Sequence, residues 1–296
     1  MTVAEGDRLE RCFEEQRPRL RAVAYRMLGS AAEADDAVQD AWLRVSRADT
    51  GAVENAGAWL TTVVARVCLN QLRSREQRRE TPLDVHVPDP IVSPETGLDP
   101  EHEALLADSV GLALLVVLET LTPAERLSFV LHDMFAVPFD EIAPMLERSP
   151  AAVRQLASRA RRRVRGQATT PDPDVGRQRD VVDAFFAASR RGDFEALVAV
   201  LHPDVVLRSD GGATRPRMTM VLHGADAVAR QAFTSSRLSP YVRPALVNGA
   251  AGVVVVAGER PLFVMAFTVA DGLIVAVDVL ADPDRLQDLD LPPVAG

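Results

Sequence analysis

Five prolines fall within residues 80–100, "ETPLDVHVPDPIVSPETGLDP". No helix runs through such a segment, because each proline lacks the N–H that the helical ladder uses and its ring blocks the turn before it. A second break, "TTPDPDV", occupies residues 169–175. The two breaks cut the chain into three stretches with different patterning. For 296 residues, two or three domains are also what surface-to-volume scaling leads one to expect.

The first stretch reads as helical. Leu20, Val23, Ala24, Met27 and Leu28 recur at three- and four-residue steps and stop at Gly29-Ser30. A second helix follows over about 31–46, with Ala34, Ala37, Val38, Ala41 and Val45 on one face and Glu33, Asp36 and Asp40 on the other. A third runs from about 58 to 78. Between the breaks, helical periodicity resumes near His102 and passes through "LALLVVLETL"; the next helix begins where Thr122 can cap it and Pro123 suits its first turn. After the second break, helices over about 177–191 and 193–201 lead into the β-like runs "VVLRS", "GVVVVAG", "PLFVMAFTV" and "LIVAVDVL". Asp271-Gly272 between the last two runs is a hairpin signal. The fold class expected is two all-α units followed by an α+β unit.

The formal net charge is −9, yet positive charge, all of it arginine, is concentrated. Residues 84–108 carry seven acids and no arginine, while "SPAAVRQLASRARRRVRG" at 149–166 carries six arginines and no acid. Ser149 caps this second helix and Pro150 fills its first position. Val153, Leu156, Ala157, Ala160 and Val164 lie on one side; Arg154, Gln155, Ser158, Arg161, Arg162 and Arg165 lie on the other. Phe139, Ile142, Ala143 and Leu146 form the stripe of the preceding helix, and "ERS" is a short turn. An arginine-rich helix alone is as well explained by a solvated basic face. A capped helix, a tight turn and a second helix with guanidinium, amide and hydroxyl groups on its free side favour a helix-turn-helix that enters the DNA major groove.

A second basic block lies at residues 58–79. Trp59, Thr62, Arg66, Asn70 and Arg73 follow one another along a single stripe. A ring with arginines and an amide suits unpaired DNA; a core Trp59 with Arg66 and Arg73 as surface solubilisers accounts for the same spacing. No apolar run of transmembrane length and no signal-peptide order appear, so the chain is expected to be cytoplasmic with no membrane partner. Cys12 and Cys68 lack metal-ligand spacing and read as small apolar residues, with no metal or other cofactor expected.

Taken together, "RAVAYRMLGSAAEADDAVQDAWLRV" followed by "AWLTTVVARVCLNQLRSR" resembles region two of bacterial sigma factors of the extracytoplasmic-function (ECF) group. "LTPAERLSFVLHDMFAVPFDEIAPMLERSPAAVRQLASRARRRVRG" resembles their region four. The resemblance implies a promoter-specificity subunit of RNA polymerase, with core polymerase (β′ and β subunits) and promoter DNA as partners, and not an enzyme. It implies region two over 8–79, an acidic linker over 80–108 that threads into the polymerase, and region four over 109–167. Asp36, Gln39, Asp40 and Trp42 would dock on the polymerase clamp. Trp59, Thr62, Arg66, Asn70 and Arg73 would open and read the −10 element. Arg154, Gln155, Ser158, Arg159 and Arg162 would read the −35 duplex, with Arg161, Arg163 and Arg165 nearer the helix end on phosphates.

Residues 175–290 are foreign to a minimal sigma factor and resemble the SnoaL-like branch of the NTF2-like cone fold. The whole arrangement resembles the SigJ-type subgroup, in which such a domain is fused to the sigma factor and regulates it in cis. That subgroup carries DGGGK-like, NPDKL-like and WLPEP-like motifs. Here they read Asp210-Gly211-Gly212-Ala213-Thr214, Asp282-Pro283-Asp284-Arg285-Leu286 and His86-Val87-Pro88-Asp89-Pro90. Cone folds often enclose a pocket for a small-molecule ligand, and His202, Asp204, His223 and Asp278 are the residues expected there, with Asp278 raised in pKa if its face points inward. The alternative function is a DNA-bound small-molecule sensor or a cyclase-like enzyme built on this domain.

Overall fold

The computed structural model describes residues 3–47, 55–78, 85–95, 111–167, 171–258 and 260–291. It divides into two compact units, and the division falls inside one helix, Leu112–Glu119 (α4).

The first unit is helical. α1 (Val3–Leu28), α2 (Ala31–Val45) and α3 (Ala56–Arg78) pack as a bundle. Ser30 caps α2 by accepting the Glu33 N–H, and Ala34, Ala37, Val38, Ala41 and Val45 are buried, as the periodicity requires. α5 (Pro123–Phe129) starts in a complete capping box between Thr122 and Glu125 and continues as a π-helical turn, Val130–Met134. α6 (Phe139–Leu146) and α7 (Pro150–Gln167) complete the unit. Arg126, only 3% exposed, fastens α5 to the end of α1 by donating to the Met27 carbonyl at 2.8 Å, and pairs with Glu119 at the same distance.

In the second unit α8 (Val175–Arg191) and α9 (Phe194–Ala199) lead into a seven-stranded sheet. Its strands are β1 (Val92–Ser93), β2 (Leu201–Asp210), β3 (Met220–His223), β4 (Val242–Val247), β5 (Ala250–Ala257), β6 (Arg260–Ala270) and β7 (Leu273–Leu280). Their order is β1-β4-β5-β6-β7-β2-β3, antiparallel throughout except that β2 runs parallel to β7. α10 (Ala225–Thr234) connects β3 towards β4, and α11 (Pro283–Gln287) follows β7. Phe185 and Phe186 of α8 meet Phe267 of β6 edge-on in a core that also holds Val253, Val255 and Val277. The expected hairpin is present: Asp271 and Gly272 both have positive φ, and the Asp172 carboxylate accepts both their N–H groups at 3.1 Å. The proline-rich break before α8 therefore pins a turn.

The first break departs further from expectation. Residues 80–108 read as a connector, but residues 85–95 belong to the second unit, and Val92–Ser93 pairs with Val247 and Leu246 as the edge strand. Residues 111–116, at the start of α4, cluster with the second unit as well. The start of helical periodicity at His102 lies outside the described residues.

Candidate functional site

In the helix-turn-helix, Ile142, Ala143 and Leu146 of α6 and Val153, Leu156, Ala157 and Ala160 of α7 are buried, so the two helices share one core. Glu147 ends α6 with φ +54°, and the Ser149 hydroxyl accepts the Ala152 N–H at 3.3 Å to open α7. Arg154, Gln155, Ser158, Arg159, Arg162 and Arg165 are exposed along the other side. Arg154 lies over the Phe139 ring at 5.5 Å, which fixes its direction without consuming its donors. Arg161 differs, because its Nε donates to Asp133 at 2.6 Å. Arg163 donates to the Thr120 carbonyl and sits 3.5 Å from Glu125. Spacing cannot separate these two from their neighbours, since the acids that hold them lie 28 and 38 residues away in sequence.

On α3, Arg66, Asn70 and Arg73 are exposed on one stripe, with Trp59 and Thr62 half-buried at its start. The Thr62 hydroxyl donates to the Ala58 carbonyl, and Arg66 reaches the Pro144 carbonyl at 3.5 Å. On α2, Asp36, Gln39 and Asp40 are exposed, whereas Trp42 is half-buried against Phe13 with ring centres 4.7 Å apart. Glu33, on the same acidic face, is held by Arg75. Burial pushes the Cys68 thiol up to about 12, so it is an inert packing group.

The second unit brings the three short motifs together around one guanidinium. Arg285, in α11, donates Nε to Asp89 at 2.7 Å, Nη1 to Asp210 at 2.8 Å and Nη2 to the Val87 carbonyl at 2.5 Å. The Val87 N–H donates to Asp210 at 3.0 Å, and His86 Nδ1 lies 3.3 Å from the same oxygen. Burial pushes the Asp210 carboxyl up. The hydrogen bonds from His86, Val87 and Gly212 and the Arg285 charge outweigh it and hold the group at about 2. The pair of glycines is required by space: a Cβ on Gly211 would strike the Arg215 carbonyl, and one on Gly212, at φ +59°, would strike the Asp282 carboxylate. Asp282 caps α11 by accepting the Asp284 N–H, Pro283 opens the helix and Leu286 is 1% exposed. Thr214, where the subgroup motif has lysine, ties the two motifs together by donating to Asp284 at 3.0 Å.

Further along the linker, Ile91 exchanges two hydrogen bonds with Asn248: its N–H goes to Oδ1 at 3.0 Å and its carbonyl accepts the Asn248 N–H at 2.8 Å. Asn248 has φ +51° in an Asn-Gly turn between β4 and β5, so the turn residue is also a clasp. Arg179 of α8 pairs with Glu95 at 2.6 Å while donating to the Gly252 and Ala245 carbonyls. Periodicity reveals neither Asn248 nor Arg179; the Asn-Gly dipeptide between apolar runs is a signal for the first, and nothing local marks the second.

The four expected pocket residues are not brought together. A cavity between α8, α10 and the sheet of the second unit is lined by none of His202, Asp204, His223 and Asp278. His202 instead accepts the Asp204 N–H within β2, and Asp204 and His223 are exposed. Asp278 is 1% exposed and pairs with Arg208 at 3.0 Å. Burial raises its pKa, against the pull of Arg208. Val277 and Val279 on either side of it join the core cluster, so Asp278 points to the opposite face of the strand. No group of three His, Cys, Asp or Glu side chains among the described residues could hold a metal.

A helix-turn-helix with an exposed basic face, in one unit with a bundle that carries a second basic stripe, defines a sigma-type transcription factor. Residues 12–79 match sigma-70 region 2 and residues 111–164 match sigma-70 region 4. The chain is 41% identical over 287 residues to the ECF RNA polymerase sigma factor SigJ of Mycobacterium tuberculosis, covering 92% of this chain and 91% of that one. It is 33% identical to a probable ECF RNA polymerase sigma factor, SigI, of the same species, over 97% of this chain and 98% of the relative. The crystal structure of Mycobacterium tuberculosis SigJ superposes with a TM-score of 0.76 at 37% identity, covering 95% of this chain and 99% of that one. The chain belongs to the ECF RNA polymerase sigma factors. It therefore directs core RNA polymerase to promoter DNA and is a transcription factor, not an enzyme; its second unit is the expected α+β domain. No helix among the described residues is long and apolar enough to cross a membrane.

Proposed function

We propose that promoter reading is divided among three exposed surfaces and is controlled in cis by capture of the linker. Arg154, Gln155, Ser158, Arg159 and Arg162 contact the −35 duplex, and Arg165 holds phosphate. The α3 stripe from Trp59 to Arg73 takes the −10 strand, and Asp36, Gln39 and Asp40 beside Trp42 dock on the polymerase. These events take place in the cytoplasm, where the polymerase works.

The observation that carries the control is the Arg285 clasp. A linker rich in acids is electrostatically suited to a basic nucleic-acid channel. Asp89 and Glu95 are instead neutralised by Arg285 and Arg179 of the C-terminal domain. One linker cannot occupy both places. Docking on the domain withholds it from the polymerase, and release supplies it.

Run-off transcription with core polymerase and a promoter library tests this reading. Arg285→Ala is expected to raise transcript yield at equal protein concentration without changing the promoter sequences selected. Equal or lower yield with undiminished core binding would overturn capture as the control.

A further inference from the structure

One space that the promoter reading leaves unexplained is a cavity in the second unit, between α8, α10 and the face of the sheet formed by β2, β5, β6 and β7. Its volume is about 110 Å³, on the scale of the ~150 Å³ apolar cavity that accepts a benzene ring. Its wall has two properties that restrict what can enter. No lining side chain carries a formal charge, and the lining is mostly aromatic and aliphatic, with methionines at 218, 220 and 265. Methionine adapts its shape to an occupant at little cost. A charged occupant would find no counter-ion there and would lose its hydration without return.

The second property is a hydroxyl without a partner. Ser209, 3% exposed on β2, lines the cavity, and its Oγ is buried with no hydrogen-bond partner. Such a group is costly to leave unsatisfied, and native structures rarely keep one without a use. The side chains of Ser189, Gln231 and Ser235 nearby are already engaged. Ser189 Oγ donates to the Ala232 carbonyl at 3.3 Å, and the Gln231 amide donates to Ser235 Oγ at 3.4 Å. The wall offers one fully buried, unsatisfied hydroxyl facing a ring-sized apolar space, with no carboxylate or imidazole to move a proton. It is built to bind and not to turn over.

We propose that this cavity is a binding site for a neutral, single-ring organic molecule carrying one hydroxyl or carbonyl, with Ser209 Oγ as its hydrogen-bond partner. The site stands on the cavity alone and is independent of the linker capture argued above. Size limits the ring, the uncharged wall excludes acids and amines, and Ser209 selects the polar substituent.

The test uses the full chain and three fluorinated probes followed by fluorine NMR line broadening: 4-fluorophenol, fluorobenzene and 4-fluorobenzoate. The expected result is saturable binding of 4-fluorophenol, weaker binding of fluorobenzene and none of 4-fluorobenzoate. Ser209→Ala should weaken 4-fluorophenol about fivefold, the worth of one hydrogen bond, and leave fluorobenzene unchanged. Ala232→Leu, which fills the space from α10, should abolish binding of both neutral rings. Without any probe, Ser209→Ala should leave the thermal midpoint unchanged or raised, because the hydroxyl it removes bonds to nothing. Absence of saturable 4-fluorophenol binding overturns the proposal. So does comparable binding of the benzoate, equal loss of both neutral rings on Ser209→Ala, or a fall in midpoint that marks the hydroxyl as structural. Should Ala232→Leu fail to fold by circular dichroism, the Ser209→Ala comparison alone decides between these outcomes.

Discussion

Replacing Arg285 by alanine should release the linker while leaving the domain that held it folded. Only bonds that cross from linker to domain count towards docking, so the Arg285–Asp210 pair, internal to the domain, drops out. Two crossing bonds are lost, to the Asp89 carboxylate and to the Val87 carbonyl. Both are charge-assisted, and the Arg285 and Asp89 side chains are 21% and 19% exposed, which places each near the low end of its range, about 1.5 kcal/mol. Their sum of about 3 kcal/mol corresponds to a docking equilibrium weakened roughly 150-fold. The exchange-protected reporters are the Ile91 and Asn248 amides, whose hydrogen bonds exist only while the linker is docked. Hydrogen exchange read by mass spectrometry on peptides spanning 87–93 should accelerate by about two orders of magnitude, while the β6–β7 hairpin keeps its protection. Glu95→Gln is the internal scale: its carboxylate is 45% exposed, so the same amides should accelerate only about twofold. Protection of Ile91 within threefold of the parent, or equal acceleration in β6 and β7, would refute the assignment of docking energy to Arg285.

Other expectations follow from the same geometry. Asp210 has its carboxyl lowered from 3.8 to about 2, so its contribution of roughly 2 kcal/mol is present above pH 4 and is lost as pH falls towards 2; the gap in thermal midpoint between the parent and Asp210→Asn should close over that interval. On α7, Arg162→Ala should cost −35 affinity by roughly 10- to 100-fold and relax base preference, whereas Arg165→Ala should lower affinity on all sequences and reduce the salt slope by about one. Arg161→Ala should act mainly on the thermal midpoint, because its Nε is committed to Asp133; anisotropy with −35 duplexes separates the three. Thr122→Ala removes the capping box of α5 and should cost about 1 kcal/mol in urea unfolding without altering DNA affinity.

What could be read from the sequence was what short-range chemistry specifies. Ser149-Pro150 and Thr122-Pro123 open α7 and α5 because a cap and a first-turn proline act within one turn. Asp271-Gly272 turns because few other pairs tolerate two positive φ values. The strand Val92–Ser93 had no such cause: it is two residues among prolines, and the edge that makes it a strand, β4, lies some 150 residues further on. Asp278 shows a different limit. Alternation along β7 pairs Asp278 with Ile274 and Ala276, yet Ile274 joins Val277 and Val279 in the core, and β7 is buried on both faces from Val277 to Leu280, so no pattern of polarity could say which face was the cone interior. Titratable side chains were the natural candidates for the pocket, yet the group that the cavity leaves unsatisfied is a serine hydroxyl, one of many in the chain.

The clasp also imposes an order in time. Arg285 and Asp89 are 196 residues apart, so a ribosome adding about 5–20 residues per second needs roughly 10–40 s after making the linker to complete its partner. The helix α3 is complete before that interval begins and α7 is completed within it, while the linker still has nothing to close on. A chain still in synthesis is without this restraint until Arg285 has been made. A slower ribosome lengthens that interval for every chain, so elongation speed sets how long the linker stands without its clasp.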